Sequence, residues 1–224
     1  MTTFKPQIFP HYFRIALQSA FAASLCLGLP AGLLFWLIVF RETSHSAPIS
    51  QIVILLQDNG WIEISILFIG VLIWGVLLGK IGGYRSWWWI VIASVFGISA
   101  GRWSPLANLD GWLSGLPVHV VFAAFLSGYI FSVTFCTGLA YGLILRNGKA
   151  AVVLALSASL VSVLTTVVSI VILDQLGIRV GTGNAAMPKV TAVCTMVAAI
   201  SVGTLLGVGF SWFAEMINRP ADLS

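Results

Sequence analysis

The chain has 224 residues, of which 59% are hydrophobic and only 8% charged; its mean hydropathy is +1.03 and its formal charge +4. A water-soluble domain carries roughly 25% charged residues, so this composition excludes one, and no polar stretch is long enough for an attached ATPase or nucleic-acid module. It predicts a single all-α membrane domain over residues 1–224: a polytopic transmembrane helix bundle solvated by the lipid bilayer, with no nucleic-acid partner and with its surplus Lys and Arg in cytoplasmic loops.

The first predicted span covers residues 15–40. Lys5 and Arg14 precede it as they would a signal peptide, but 26 uncharged residues exceed the roughly 7–15 of a signal core, so the segment reads as a retained helix. Gly28, Pro30 and Gly32 predict a kink near its middle, because proline removes one backbone donor and crowds the preceding turn. The loop that follows has an apolar stretch, residues 49–56, suited to the membrane surface. The second span is predicted at 61–79 and the third at 86–101. Only 16 residues separate Arg85 from Arg102, giving ~24 Å of helix for a hydrocarbon core of ~30 Å. To cross, this helix needs snorkelling arginines and Trp87, Trp88, Trp89 and Trp103 in the interfaces. The fourth span, 117–145, opens on Pro117, which the first helical turn tolerates; the fifth covers 150–173 and the sixth 190–214.

Six spans put seven basic residues inside (Lys5, Arg14, Lys80, Arg85, Arg146, Lys149 and Arg219). Four stay outside (Arg41, Arg102, Arg179 and Lys189), three of them with Glu42, Asp110 or Asp174 nearby. Because basic loops remain cytoplasmic, both termini are expected inside, with the protein in the cell membrane.

Small residues recur at every fourth position, on one helix face where two backbones can approach closely. The first span has Ala16, Ala20, Ser24, Gly28 and Gly32, the third Ala93, Gly97 and Gly101, and the sixth Thr191, Thr195, Ala199, Gly203, Gly207 and Ser211. The pairs Gly75/Gly79, Gly138/Gly142 and Gly203/Gly207 lie at the predicted cytoplasmic ends of spans two, four and six, 63 and 65 residues apart. Asp58-Asn59-Gly60-Trp61 and Asp110-Gly111-Trp112 precede spans two and four. The pattern suggests three related helical hairpins. The ridges are expected to pack the bundle, or, on the first helix, to dock a membrane protein partner or a second copy.

Ionisable groups within a bilayer are costly and therefore mark function. Glu63 and His119 lie about one turn inside the outer ends of spans two and four by the helical rise. Asp174 closes span five and Asn184 lies in the last outer loop; with Trp61 and Trp112 they form the expected ligand site, open to the outside. Ser159, Ser162, Thr166 and Ser169 make a hydroxyl stripe on span five, which either lines a hydrated path or bonds its own carbonyls. Cys26, Cys136 and Cys194 lie in three different apolar runs and read as small buried hydrophobes.

HExxH, GxSxG and CxxC are all missing, Gly148-Lys149 lacks the rest of a phosphate-binding loop, and Ser127-Gly128 has no histidine in the last two helices to activate it. Glu63 and His119 alone make a thin acid/base set, so a non-enzyme without cofactor or metal is expected. The expected function is of transport type: binding or passing a small solute or ion. The alternative is a non-catalytic subunit or assembly factor that docks through its small-residue faces. In length, predicted topology and Ala16-x-x-x-Ala20, the chain resembles the membrane-embedded substrate-binding subunits of energy-coupling-factor importers. That resemblance implies solute binding, and transport driven by partner ATPases.

Overall fold

A computed structural model describes residues 8–34, 36, 60–81, 87–102, 116–178 and 186–218. Helix α1 runs Ile8–Ala23, passes through a π-helical turn at Ser24–Gly28, and continues helical to residue 34. There follow α2 (Gly60–Ile81), α3 (Trp87–Arg102), α4 (Val118–Ile144), α5 (Gly148–Gln175) and α6 (Ala186–Asn218). No strand occurs among the described residues. Among the described residues, four helical segments are long and apolar enough to cross a membrane: His11–Leu34, Val120–Ile144, Gly148–Gln175 and Pro188–Ile217. Phe68–Ile81 and Trp87–Gly101 are shorter apolar helices, and α3 has the 16 residues that the arginine spacing allowed.

The helices overrun the expected spans, α1 beginning at Ile8 rather than 15 and α6 covering Ala186–Asn218 rather than 190–214. Gly79, the expected end of the second span, is likewise interior to its helix, which continues through Lys80 to Ile81. Hydropathy marks the part of a helix that lipid can cover, whereas backbone hydrogen bonding continues into the interface. Pro188 is compatible with the longer α6 because it falls in the first turn.

Each helix packs on its chain neighbours across α2–α3, α3–α4, α4–α5 and α5–α6, and α1 packs on both α6 and α2, so the six close into a ring. Backbone pairings fix the directions. Gly97 faces Thr137 and Gly101 faces Val133, so α3 and α4 are antiparallel; Gly138 against Ala155 and Gly142 against Ala151 make α4 and α5 antiparallel. Gly203 against Ala23 and Gly207 against Ser19 do the same for α6 and α1.

The glycine pairs of α4 and α6 thus share a role that the sequence left open. Gly138/Gly142 meet α5 and Gly203/Gly207 meet α1, so on α4 and α6 both members of the pair pack on the next helix round the ring. On α2 the contact with α3 is made by Gly75, which meets Val91. Gly79 is buried one turn further on.

The small-residue ridge of α1 is divided. Gly28 and Gly32 pack on Met196 and Ile200 or Ala192 of α6, while Ala16, Ala20 and Ser24 are half-buried. Phe13, Leu17, Phe21, Leu25, Leu29 and Leu33 form the opposite stripe and are exposed, as a lipid-facing surface requires.

The α4–α5 connection is a three-residue turn. Arg146 takes the left-handed conformation (φ 51°), Arg146 N–H donates to Leu143 O (2.9 Å) and Asn147 N–H to Gly142 O (3.3 Å), a Schellman closure. The Asn147 side chain then caps α5 by accepting from Ala150 N–H at 3.1 Å. At the other end of α5, Gly177 (φ 79°) supplies the same closure, with Ile178 N–H donating to Leu173 O at 2.9 Å.

Candidate functional site

The described residues place the expected outer site only in part. Trp61 and Glu63 lie on the first turns of α2, His119 on the first turn of α4, and Asp174 is exposed in the last turn of α5. Gly70 meets Cys26 and Gly207 meets both Ser19 and Leu78, so α2 runs antiparallel to α1 and parallel to α6. Gly209 against Leu154 and Cys194 against Thr166 set α6 antiparallel to α5, so α2 and α4 run the same way and these four positions lie at one end of the ring. For Trp61, Glu63 and His119 the description is limited to the backbone, and Trp112 and Asn184 lie outside the described residues.

The hydroxyl stripe of α5 resolves in favour of self-bonding. Ser159, Ser162, Thr166 and Ser169 are all buried. Their hydroxyls donate to Leu156 O, Ser159 O, Ser162 O and Thr165 O at 2.7–3.1 Å, three or four residues back. Ser162 also meets Thr134 of α4 at 2.9 Å. The stripe is therefore a helix–helix contact.

A cavity of about 140 Å³ lies inside the ring, lined by α2, α3, α4, α6 and, from the first helix, Leu27 and Ala31. Among the described residues, none of α5 lines it, and neither does any Asp, Glu, His, Lys or Arg. Along α4 the lining runs from Tyr129 to Tyr141, which spans ~18 Å at the helical rise, so the space is slender. For scale, an engineered apolar cavity of ~150 Å³ holds one benzene molecule.

Three lining side chains form a hydrogen-bonded set. Trp74 Nε1–H donates to the Tyr141 hydroxyl at 2.9 Å, Ser94 Oγ lies 2.6 Å from the same oxygen, and Ser94 Oγ–H donates to Ile90 O at 2.8 Å. All three residues are buried, and Phe210 packs edge-on to the Tyr141 ring at 5.9 Å. Thr137 donates to Val133 O at 2.7 Å and Thr195 to Thr191 O at 2.7 Å, within their own helices, while Thr134 bonds Ile130 O at 2.8 Å and meets Ser162 of α5 at 2.9 Å.

Sequence reading overlooked this set although a signal was present. A tryptophan and a tyrosine inside apolar spans, away from the interfaces, must each find a polar partner. Tyr141→Phe should therefore cost ~1–3 kcal/mol, since it strands a buried indole N–H. Reversible unfolding in mixed micelles measures this, and an unchanged midpoint would show that the three side chains carry no structural load.

No protein-family model, curated protein or solved structure matches this chain.

Proposed function

We propose that the chain is a transport-type protein of the cell membrane, with six spans, both termini cytoplasmic and a bundle interior that binds or passes a small uncharged solute. The interior cavity carries this reading: described residues of five helices line it, and among them is no carboxylate, imidazole or cationic side chain. An ion entering such a space would lose hydration without a compensating charge, at a cost of tens of kcal/mol by idealised solvation estimates. A neutral molecule pays far less, so of the two expected cargoes, solute or ion, the lining favours the solute.

The span count and orientation rest on charge placement. Arg14, Lys80, Arg146 and Lys149 are exposed and gather at one end of the ring, as cytoplasmic loops require. The short α3 has Trp87, Trp88 and Trp89 about 40% exposed at that end, suited to an interfacial belt. The glycine contacts at α2–α3, α4–α5 and α6–α1 coincide with the three junctions between successive hairpins, which supports descent from a repeated hairpin.

Stopped-flow swelling of proteoliposomes in gradients of ethylene glycol or 1,3-propanediol tests the transport reading. Wild type is expected to admit them several-fold faster than empty liposomes, and Ala198→Phe, which fills the cavity from α6, to lose the difference. Equal rates for wild-type and empty liposomes would remove the transport reading.

A further inference from the structure

We infer that the Trp74–Tyr141–Ser94 end of the cavity offers hydrogen-bond acceptors only, so that its ligand is a slender neutral molecule presenting an O–H or N–H donor from an apolar body. The inference rests on the solute-binding reading above and narrows the solute class.

The assignment follows from counting hydrogens. An indole N–H can only donate, so Trp74 gives its hydrogen to the Tyr141 oxygen. A carbonyl can only accept, so Ser94 spends its one hydrogen on Ile90 O. The contact of 2.6 Å between Ser94 and Tyr141 is then a hydrogen bond only if Tyr141 O–H donates to Ser94 Oγ. One arrangement makes all three bonds, and it leaves no hydrogen over. What remains is lone-pair capacity on the hydroxyl oxygens of two residues that line the cavity. The nearest lining hydroxyl on the same face of α4, Thr137, has likewise donated its hydrogen to its own helix.

A ligand that brings only an acceptor meets oxygen against oxygen at this end. One with neither donor nor acceptor gains burial alone. One with a single donor closes the network. The cavity volume of about 140 Å³ suits roughly six heavy atoms, by comparison with the benzene-sized cavity.

The test uses three such molecules of nearly equal size: 1-pentanol (donor and acceptor), butyl methyl ether (acceptor only) and hexane (neither). The whole protein is placed in lipid nanodiscs with ¹⁵N-labelled tryptophan, and the Trp74 Nε1–H resonance is identified by its loss in Trp74→Phe. 1-Pentanol is expected to shift it saturably, with an affinity about tenfold above that of the ether or hexane, the worth of one net hydrogen bond. Ser94→Ala supplies the sharper arm. It removes the acceptor of the Tyr141 hydroxyl, frees one hydrogen toward the cavity, and should raise ether affinity until the preference for the alcohol collapses.

Equal saturable responses to all three in the wild type would overturn the acceptor-only inference while leaving solute binding intact. An unaltered alcohol preference in Ser94→Ala would overturn it as well. No saturable response to any of the three would sink solute binding and the inference with it.

Discussion

Gly142→Ala should disrupt the α4–α5 junction and lower stability by ~3 kcal/mol or more, the upper end of overpacking penalties. A methyl group at Gly142 collides with Ala151, with the backbone Cα and N as well as the side chain, so no change of rotamer can make room. Gly138 repeats the situation one turn away, where an added Cβ would fall 2.6 Å from the Ala155 Cα and the Leu154 carbonyl oxygen. The two helices would have to separate along a shared face, losing the dispersion contacts that hold helices together where no hydrophobic effect acts between them. The Thr134–Ser162 bond across the same face would stretch with them. Gly148→Ala is the matched control, only six positions along, because nothing lies within 4 Å of a Cβ there. It should be neutral or stabilising by about 0.4–1 kcal/mol, since alanine reduces unfolded-state freedom at a helical position. Unfolding of both variants by increasing dodecyl sulfate in mixed micelles measures the difference. Similar midpoints for the two would mean that the close approach of α4 and α5 contributes nothing special.

That contrast shows what the sequence could and could not convey. An all-helical apolar chain with small-residue ridges on several segments was legible, because composition and four-residue periodicity are properties of single segments. The partner of each ridge was not, since Gly75, Gly138 and Gly203 look alike on paper and their neighbours are fixed only when the ring closes. The α1 ridge, expected to pack the bundle or to dock a partner, illustrates the limit: Gly28 and Gly32 face α6, Ala16, Ala20 and Ser24 are half-buried, and Phe13, Leu17 and Phe21 are exposed on the opposite stripe. Charge-led site reading pointed to Glu63, His119 and Asp174 because ionisable groups are conspicuous in an apolar chain. The cavity's hydrogen-bonded end is built from uncharged residues, Trp74, Ser94 and Tyr141, on three different helices. Such a set has no spacing to search for. It follows only from asking where each buried donor sends its hydrogen.

The π turn in α1 leads to the second large effect. Pro30 has no N–H to give the carbonyl four residues back, that of Cys26, and its ring crowds that carbonyl. The chain relieves the crowding by inserting a π turn over Ser24–Gly28, with Leu29 N–H reaching Ser24 O, where the sequence had suggested a simple kink. The displaced Cys26 carbonyl oxygen lies against Gly70 of α2, so closely that an added Cβ would collide with it. A Cα–H of Gly70 is the natural weak donor to that oxygen. Gly70→Ala should therefore cost ~3 kcal/mol through steric conflict with a backbone that cannot retreat. It should also perturb the cavity, because Leu27 and Ala31 on one side and Val71 and Trp74 on the other belong to its lining. Pro30→Ala restores an N–H that can draw the Cys26 carbonyl back into the helix, so Gly70→Ala should be milder in that background. A double-mutant cycle on unfolding free energies should give a coupling of about 1 kcal/mol or more, within the range for residues in contact. Additivity within ~0.5 kcal/mol would show that Gly70 answers to general α1–α2 packing and that Pro30 does not set the position of the carbonyl.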